Sequence, residues 1–240
     1  MARQWKWILL AITAAALLAP LAIDLATLPR ATELRAQIAG RYSARMIRTW
    51  RPLWAISSQL QESVVMWEDP GFYYHAGLSY RDILRALSAD IKAGHFVRGG
   101  STITQQVAKN LFLTREKTLR RKYQDAILAR RLESALSKTE ILEVYLNIAE
   151  WGADVYGAEA AARYYFDISA QQLDWSQSAL LAAILSNPHA LNPCAAPDAA
   201  NRRRDIVLAR LRRERWMPEQ DYAAALARPA RPVCVGRQSR

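Results

Sequence analysis

Helical spacing of apolar residues runs through most of this sequence, and the alternation of apolar and polar residues that marks a half-buried β-strand is nearly absent. Between residues 116 and 136, for example, Leu119, Tyr123, Ile127 and Leu132 recur at close to helical intervals. Apolar residues are 51% of the chain and charged residues 23%, the balance of a globular protein with a hydrophobic core. We therefore predict an all-α or nearly all-α fold.

Glycines and helix-capping residues divide the predicted helices from one another. Ser101 follows two glycines and is a suitable N-cap for a helix over residues 102–112. Thr139 is the predicted cap of a helix over residues 140–147, and the glycine-rich residues 90–100 should form a loop. Further helices are predicted at residues 116–136, 158–165, 171–185 and 197–214.

An apolar run from Trp7 to Ile23 follows the first basic residues and is near the lower limit of about 17–25 residues for a spanning helix. Basic residues before the run favour a cytoplasmic N-terminus, and Trp5 suits the membrane interface. The alternatives are a signal peptide cleaved near Ala22 or Ala26, and a buried helix of a soluble protein. We expect an uncleaved anchor, although a signal peptide would export the chain equally.

The net charge of +11 attracts polyanions, which include nucleic acids, anionic membranes and phosphorylated substrates. No zinc-finger spacing, basic heptad or aromatic RNA-binding signature is present, so we predict no nucleic-acid partner. The arginines at 202–204 and 212–213 indicate a solvated face or a contact with anionic lipid.

Two cysteines, Cys194 and Cys234, lie late in the chain and lack the spacing of metal ligands. Export would place them in an oxidising compartment, where a disulfide persists. We expect them to pair and tether the C-terminal tail, the alternative being two unpaired small apolar residues.

Three polar segments could carry chemistry. In residues 68–77, Glu68 precedes a Pro-Gly turn, so its carboxylate lies at a helix end where partial burial raises the pKa of a general base or acid. The alternative is a solvated acidic turn.

In residues 99–110, Thr102, Gln106 and Lys109 share one face of a predicted helix, with Gln105 beside them. A neutral polar stripe ending in one lysine suits sugar hydroxyls and a phosphate, and a helix start offers free N–H donors to an anion. A purely structural role for the stripe remains the alternative.

The third segment places Lys117, Arg121 and Asp125 four residues apart. This spacing indicates either a salt-bridge ladder along a helix or a pyrophosphate clamp flanked by an acid. By contrast, Tyr145 and Asn147 are expected to serve helix packing.

In this order, the segments resemble glycosyltransferase family 51, the peptidoglycan transglycosylases. Residues 68–77 reproduce the motif Glu-Asp-x-x-Phe-x-x-His-x-Gly, and residues 99–110 reproduce Gly-Gly-Ser-Thr-Ile-Thr-Gln-Gln followed by Lys-Asn. The third motif, Arg-Lys-x-x-Glu with a later Leu-Glu, resembles residues 121–133, and the resemblance extends over residues 50–195. The remaining matching segments are residues 138–166 and 173–193.

Two positions depart from the family pattern. Asp125 stands where the family usually has glutamate, which withdraws the carboxylate by about one carbon–carbon bond. Gln177 stands where the fifth motif usually has glutamate, and we expect that position to be structural and the change to be tolerated.

The resemblance implies a lysozyme-like, mostly α glycosyltransferase domain with head and jaw lobes, the jaw near residues 76–98, plus one N-terminal transmembrane helix. Neither the Ser-x-x-Lys nor the Lys-Thr-Gly motif of a transpeptidase is present, which indicates a monofunctional enzyme. The expected organisation is a cytoplasmic N-terminus and anchor, a connector, the glycosyltransferase domain and a tail, at residues 1–29, 30–49, 50–215 and 216–240.

The implied reaction polymerises lipid II into β-1,4-linked glycan, with inversion at C1 of the donor MurNAc and release of undecaprenyl pyrophosphate. Glu68 would be the general base, and Asp125 would position cations or assist departure. The expected cations at the pyrophosphate are Lys109, Lys117 and Arg121. Residues expected to orient sugar and phosphate are Ser101, Thr102, Gln106 and Asn110, and those expected to support Glu68 are Asp69, Phe72 and His75.

The same resemblance implies a single-pass protein of the bacterial inner membrane with its catalytic domain in the periplasm. Its partners would be lipid II, the growing glycan chain, membrane lipids and other cell-wall synthesis proteins. The resemblance allows a divalent cation, Mg²⁺ or Mn²⁺, to bind the substrate pyrophosphate, and no dedicated metal site is predicted. The rival functions are a glycan-cleaving lysozyme-like enzyme and a catalytically weak scaffold that binds lipid II.

Overall fold

The chain is described by a computed structural model that covers residues 19–20, 22–41, 48–81, 84, 88, 91, 100–114, 116 and 118–235. The helices in chain order are α1 (Ala31–Gly40), α2 (Ser58–Glu68), α3 (Ile103–Phe112), α4 (Leu119–Ala135), α5 (Lys138–Ile148), α6 (Ala158–Phe166), α7 (Trp175–Ile184), α8 (Pro197–Arg213) and α9 (Glu219–Ala227). Short 3₁₀ turns occur at Leu53–Ala55, Phe72–Tyr74 and Ala170–Gln172.

A single two-stranded antiparallel sheet is found in the described part of the chain. Strand β1 (Glu150–Gly152) pairs with β2 (Val155–Tyr156), with Glu150 opposite Tyr156. The prediction of a mostly α-helical fold is therefore confirmed, whereas the division into head and jaw lobes stays a prediction because residues 76–98 lie largely outside the described ranges.

Helix α7 forms the centre of the core because it is apolar on all sides, which is the pattern of a helix buried on every face. Its residues 178–184 are all buried, and it packs mainly against α8 and α2. The contact with α2 places Leu60 and Val64, both fully buried, in the same core. The end of α2 is thereby held in a fixed place, and Glu68 lies at that end.

A second group of helices packs beside α2. Helix α3 lies against α4 and α5, and its core side carries Ile103 and Val107, both fully buried. Helix α1 packs on α4 through Leu34 and Ile38. The three chemically interesting segments of the sequence therefore meet where α2, α3 and α4 come together with α5.

Capping boxes set the helix starts, and they correct two predicted caps. Thr102, not Ser101, is the N-cap of α3, because its hydroxyl accepts the N–H of Gln105 while the Gln105 side chain accepts the N–H of Thr102. Ser137, not Thr139, caps α5 in the same reciprocal way with Glu140.

The predicted helix over residues 171–185 is divided by a third capping box. Asp174 caps α7, and the side chain of Gln177 accepts the N–H of Asp174 at 3.1 Å. Residues Ala170–Gln172 form a separate 3₁₀ turn. Glutamine and glutamate can both accept this bond, so the expected structural role of Gln177 is confirmed.

The N-terminal segment beyond residue 21 is attached to α4. Residues 22–27 are helical, and the buried carboxylate of Asp24 accepts two bonds from the guanidinium of Arg120, at 2.8 and 2.9 Å, and one from Gln124. Arg131 donates to the carbonyl oxygens of Leu25, Leu28 and Pro29. These contacts satisfy the carbonyls that the segment leaves free at its end.

Among the described residues, no helix is both long and apolar enough to cross a bilayer. Most of the apolar run at residues 7–23 lies outside those residues. The predicted membrane anchor stays a prediction.

The C-terminal tail returns across the domain. Cys194 and Cys234 form a disulfide, which confirms their predicted pairing, and the N–H of Val233 donates to the carbonyl of Tyr165 at 2.7 Å. Arg204 does not lie on the predicted solvated face. It is 2% exposed and donates to Ser176 Oγ at 2.9 Å and to the carbonyl of Arg228 at 3.0 Å.

Replacement of Gly77 by alanine is expected to destabilise the fold. Gly77 has a φ of 85°, and an added Cβ would lie 2.9 Å from the carbonyl carbon and oxygen of Ala129 in α4. Both the left-handed backbone and the clash with rigid helix backbone cost free energy, so we expect Gly77→Ala to lower the free energy of unfolding by about 1–3 kcal/mol or more. Urea denaturation measures the change.

Gly40→Ala is the matched control, because an added Cβ at Gly40 meets nothing within 4 Å. Gly40→Ala should leave stability unchanged or raise it slightly. Equal stability of Gly77→Ala and the wild type would show that the tight approach of residue 77 to α4 does not hold in solution.

Loss of the disulfide is expected to lower stability. The bridge joins cysteines 40 residues apart in the sequence, and a loop of that size corresponds to about 3–4 kcal/mol in the chain-entropy account. Thermal unfolding with and without a thiol reductant should show a lower melting temperature when reduced. A Cys194→Ala/Cys234→Ala variant should melt at the reduced temperature and be insensitive to reductant, and a reductant effect of equal size in this variant would contradict the assignment.

Candidate active site

Glu68 is the last residue of α2, and its carboxylate faces α3. Gln106 Nε2 donates to Glu68 Oε2 at 2.8 Å, and the hydroxyl of Tyr145 in α5 donates to Gln106 Oε1 at 3.2 Å. The helix ends here because Asp69 leaves the helical region, with φ −155° and ψ 75°, just before Pro70. Side chains of three helices are thus linked at this point, and the predicted position of Glu68 at a helix end is confirmed.

The environment of Glu68 favours its protonated form. Burial is the main cause that raises the pKa of Glu68, and the neighbouring charge of Asp69 acts in the same direction. The hydrogen bond from Gln106 and the positive charge of Lys109 oppose the rise. A carboxyl group with a raised pKa binds a proton more readily than an exposed one, as a general base must.

Asp69 fixes the turn that follows Glu68. Its buried carboxylate accepts the N–H of Ile103 at 3.0 Å, at the start of α3, and lies 2.9 and 3.0 Å from His75 Nε2. The contacts of Asp69 and His75 therefore fix the backbone that follows Glu68 and are not made to its carboxylate group, and their support of Glu68 in the reaction stays a prediction. Phe72 is fully buried beneath this turn, with the ammonium of Lys138 4.5 Å from its ring centre.

A polar cluster beside this turn was not assigned a role from the sequence. Thr104 Oγ1 donates to Glu133 Oε1 at 2.6 Å, and Lys138 Nζ donates to the same oxygen at 2.7 Å. The cluster joins α3, α4 and the first residue of α5. The Leu-Glu pair of the third motif was the available sequence signal for Glu133.

Thr102 and Ser101 both make contacts within the protein, and their predicted roles in substrate binding stay predictions. Thr102 is 2% exposed, and its hydroxyl accepts from Gln105 and donates to the carbonyl of Gly77 at 2.7 Å. Its hydroxyl thus has two hydrogen-bond partners within the protein. Ser101 Oγ accepts from Lys122 Nζ at 2.9 Å, which links the start of α3 to α4.

Asp125 is buried on the first turns of α4 with cations around it. Arg121 Nη1 donates to Asp125 Oδ2 at 2.7 Å, and Lys122 Nζ is 4.0 Å from the same oxygen. Asp125 Oδ1 and Arg121 Nε are buried and have no hydrogen-bond partner among the residues that the structure describes. Burial is the main cause that raises the pKa of Asp125 and that lowers the pKa of Lys122.

The last turns of α3 present Lys109 and Asn110 to solvent. Lys109 lowers the pKa of Glu68 and that of Asp125, so its charge reaches both carboxyl groups. Lys117 lies outside the described residues. Helix α4 begins at Leu119 with Thr118 as its N-cap, and the predicted helical face holds for Arg121 and Asp125.

In the residue ranges that the structure describes, no three histidine, cysteine, aspartate or glutamate side chains converge as metal ligands would. The arrangement instead combines a carboxyl group with a raised pKa at one end and a group of cations around a second acid at the other. Such a site can take a proton from a hydroxyl group at the first end and stabilise an anionic leaving group at the second.

Comparison with known proteins places the chain in a family. The sequence model of the family described as Transglycosylase matches residues 35–212. A biosynthetic peptidoglycan transglycosylase of Dechloromonas aromatica is 42% identical over 182 residues, which are 76% of this chain and 78% of that protein. The protein of the same name from Alcanivorax borkumensis is 51% identical over 140 residues, or 58% of this chain and 57% of that protein.

A longer relative aligns over a smaller share of its own chain. Penicillin-binding protein 1A of Aquifex aeolicus is 42% identical over 72% of this chain and 24% of that protein. The crystal structure of penicillin-binding protein 1A from Haemophilus influenzae is 28% identical over 57% of this chain and 17% of that one, with a TM-score of 0.39, too low to define the fold. The family match and the relatives named biosynthetic peptidoglycan transglycosylases agree with the prediction of a monofunctional enzyme. On this similarity and this site, the chain belongs to the transglycosylase family and is a peptidoglycan transglycosylase.

Proposed function

We propose that the chain polymerises lipid II into β-1,4-linked glycan and releases undecaprenyl pyrophosphate. The donor is the growing glycan on its lipid pyrophosphate, and the acceptor is lipid II. The family assignment supports the reaction class, and the site supports the choice of a substrate that has both a reactive sugar hydroxyl and a charged leaving group.

One observation carries the proposal: α3, from which Gln106 donates to Glu68 at 2.8 Å, packs against α4, on which Arg121 pairs with Asp125 at 2.7 Å. The contact between α3 and α4 brings the two acids to neighbouring helices. One acid then lies beside a neutral amide donor, Gln106, and the other lies among cations. A glycan-cleaving enzyme would need the first end but has no use for the second.

Glu68 is the proposed general base. It takes the proton from the 4-hydroxyl of the acceptor GlcNAc, whose oxygen attacks C1 of the donor MurNAc and inverts it. The raised pKa of Glu68 suits this step because proton transfer is most efficient when the pKa of the base approaches the working pH. Gln106 orients the carboxylate through its N–H donor.

The leaving pyrophosphate departs toward the end of the site where cations surround Asp125. Lys109 and Arg121, with Lys117, are the proposed groups that stabilise its charge, and Asn110 lies beside Lys109 at the surface to orient it. Asp125 holds the guanidinium of Arg121 at 2.7 Å. A divalent cation on the pyrophosphate would travel with the substrate. Thr102 acts in this scheme as a positioning residue that holds α3 against Gly77.

The substrate's lipid tail requires chemistry at a membrane surface, which accords with the proposed N-terminal anchor and a periplasmic catalytic domain. The bonds of Asp24 to Arg120 attach the segment after the apolar run to the first turns of α4. Those turns also carry Arg121 and Asp125. The anchor and the proposed pyrophosphate end would therefore move together.

Glu68→Gln is expected to abolish glycan synthesis while the fold is kept. The change removes the base and preserves the side-chain shape, so the rate should fall by roughly 10²–10⁴-fold, the usual contribution of a general base. The measurement is lipid II polymerisation in detergent, followed as glycan ladders on a gel. Asp125→Asn should also slow synthesis, because it weakens the hold on Arg121.

Glu62→Gln, also on α2, is the matched control and should keep wild-type ladders. Ladders from Glu68→Gln at the wild-type rate would remove Glu68 as the base. Breakdown of preformed glycan by the wild type, without ladders from lipid II, would favour a glycan-cleaving enzyme, and binding without turnover would favour a scaffold.

The pH dependence of the rate follows from the direction of the pKa shift. The base works only when ionised, and burial raises the pKa of Glu68 above its ordinary value of 4.5. The rate should therefore decline as pH falls, with a midpoint above 4.5.

Folding favours the protonated form of Glu68, so the ionised carboxylate costs stability at neutral pH. The Glu68→Gln variant should therefore melt at the same or a higher temperature than the wild type. A midpoint at or below the ordinary value, or a destabilised Glu68→Gln, would contradict this account.

A further inference from the structure

Tyr145 has a role in the structure that goes beyond the helix packing predicted for it. Its side chain is 1% exposed, and its hydroxyl donates to Gln106 Oε1 at 3.2 Å. The other end of the same amide, Gln106 Nε2, donates to Glu68 Oε2 at 2.8 Å. Side chains from α5, α3 and α2 thus form a chain of hydrogen bonds that ends on one carboxylate.

The order of donors in this chain depends on which way the amide of Gln106 points. A glutamine amide has an acceptor end and a donor end of almost the same shape, so rotation by half a turn exchanges them. With Oε1 toward Tyr145, an N–H faces Glu68. With the amide reversed, a carbonyl oxygen would face the carboxylate, and that contact is repulsive unless Glu68 is protonated.

Glu68 alone cannot keep the amide in place through a reaction. An ionised carboxylate requires an N–H partner, but the carboxyl group loses that preference once it has accepted a proton, because its own O–H can then donate to a carbonyl oxygen. The hydroxyl oxygen of Tyr145 could accept from a reversed amide, but its buried O–H would then lose Gln106 Oε1, the acceptor recorded for it among the described residues. Tyr145 therefore favours the orientation with Oε1 toward its hydroxyl at that stage. Burial raises the pKa of Tyr145 well above its ordinary value, so the hydroxyl keeps its proton.

We propose that Tyr145 is a positioning residue for the transferase reaction, which holds the amide of Gln106 so that an N–H faces Glu68 in both protonation states of that carboxyl group. The proposal rests on the proposed role of Glu68 as the base. Tyr145 does not touch the substrate in this scheme, and it acts only through Gln106.

The other groups that face Glu68 define what the N–H of Gln106 contributes. Burial and the charge of Asp69 raise the pKa of Glu68, while Gln106 and Lys109 lower it, and the bond from Gln106 is the larger of the two opposing causes. Tyr145 is neutral and adds no charge. Loss of a fixed N–H therefore moves Glu68 toward its protonated, inactive form.

Tyr145→Phe tests the proposal because it removes the hydroxyl and keeps the ring. In lipid II polymerisation by the full chain, we expect kcat to fall by roughly 10-fold, part of the ~10²–10⁴-fold that a general base supplies. KM should stay unchanged, and the acid limb of the kcat profile should move to higher pH. Unchanged kcat and an unchanged acid limb would overturn the proposal.

Tyr165→Phe is the matched control for loss of a buried tyrosine hydroxyl. Tyr165 is fully buried and donates to the carbonyl of Trp151 at 2.8 Å, outside the site. Tyr165→Phe should leave kcat and its pH profile as in the wild type. If Tyr145→Phe lowers activity without moving the acid limb, Tyr145 has a structural role only and the proposal fails.

A titration of Glu68 separates the proposal from the proposed function. Carboxyl ¹³C NMR of the full chain in detergent, with the Glu68 signal assigned by its loss in Glu68→Gln, reads the carboxyl group without turnover. The titration midpoint should rise in Tyr145→Phe and not in Tyr165→Phe, even if the chain proved inactive on lipid II. An unmoved midpoint in Tyr145→Phe overturns the proposal, whatever the activity.

Gln106→Met provides a second comparison in case Tyr145→Phe fails to fold with an unpaired amide oxygen. The double variant Tyr145→Phe/Gln106→Met leaves no polar atom of the pair unpaired, and replacing both partners is tolerated better than replacing one. Its Glu68 midpoint should equal that of Gln106→Met. A further shift in the double variant would mean that Tyr145 reaches Glu68 by another route, and the proposal would be wrong.

Discussion

The hydrogen bond from the N–H of Ile103 to the carboxylate of Asp69 joins the end of α2, which carries Glu68, to the start of α3, which carries Gln106. The donor is one of the free N–H groups at the start of α3, which an anionic acceptor stabilises most strongly. The acceptor directly follows Glu68, so this single contact sets where Glu68, the proposed base, lies relative to Gln106. The bond of Thr102 to the carbonyl of Gly77 closes the same turn from its other end.

The site is held together at a cost in electrostatic free energy. Burial raises the pKa of both Glu68 and Asp125, so each ionised carboxylate is less stable than it would be in water. The protein offsets this cost unevenly. Glu68 has a neutral donor and a cation at some distance, whereas Asp125 has Arg121 in direct contact and Lys122 nearby. The carboxylate of Glu68 therefore has no cation in direct contact among the described residues, whereas that of Asp125 is paired with one.

The sequence predicted the helices and the positions of Glu68 and Asp125 well, because both acids occur in patterns that strongly limit local structure. The caps were harder, since Ser101 and Thr102 are adjacent hydroxyl residues and only the reciprocal bond with Gln105 distinguishes them. The pattern of a hydroxyl residue followed three positions later by glutamine was available in the sequence. The head and jaw lobes, the anchor and Lys117 stay predictions.

Contacts between residues far apart in the sequence could not be predicted from the sequence alone. Nothing in the spacing of Glu133 indicates that it accepts from Thr104, 29 residues earlier, and Tyr145 lies in a motif whose apolar neighbours favour a packing role. Glu133 acts where α4 packs against α3, and Tyr145 acts where α5 packs against α3, and both contacts depend on the whole fold. A polar atom buried in such a contact needs a partner, so a tyrosine in the core beside an active-site glutamine constrains the amide as well as filling space.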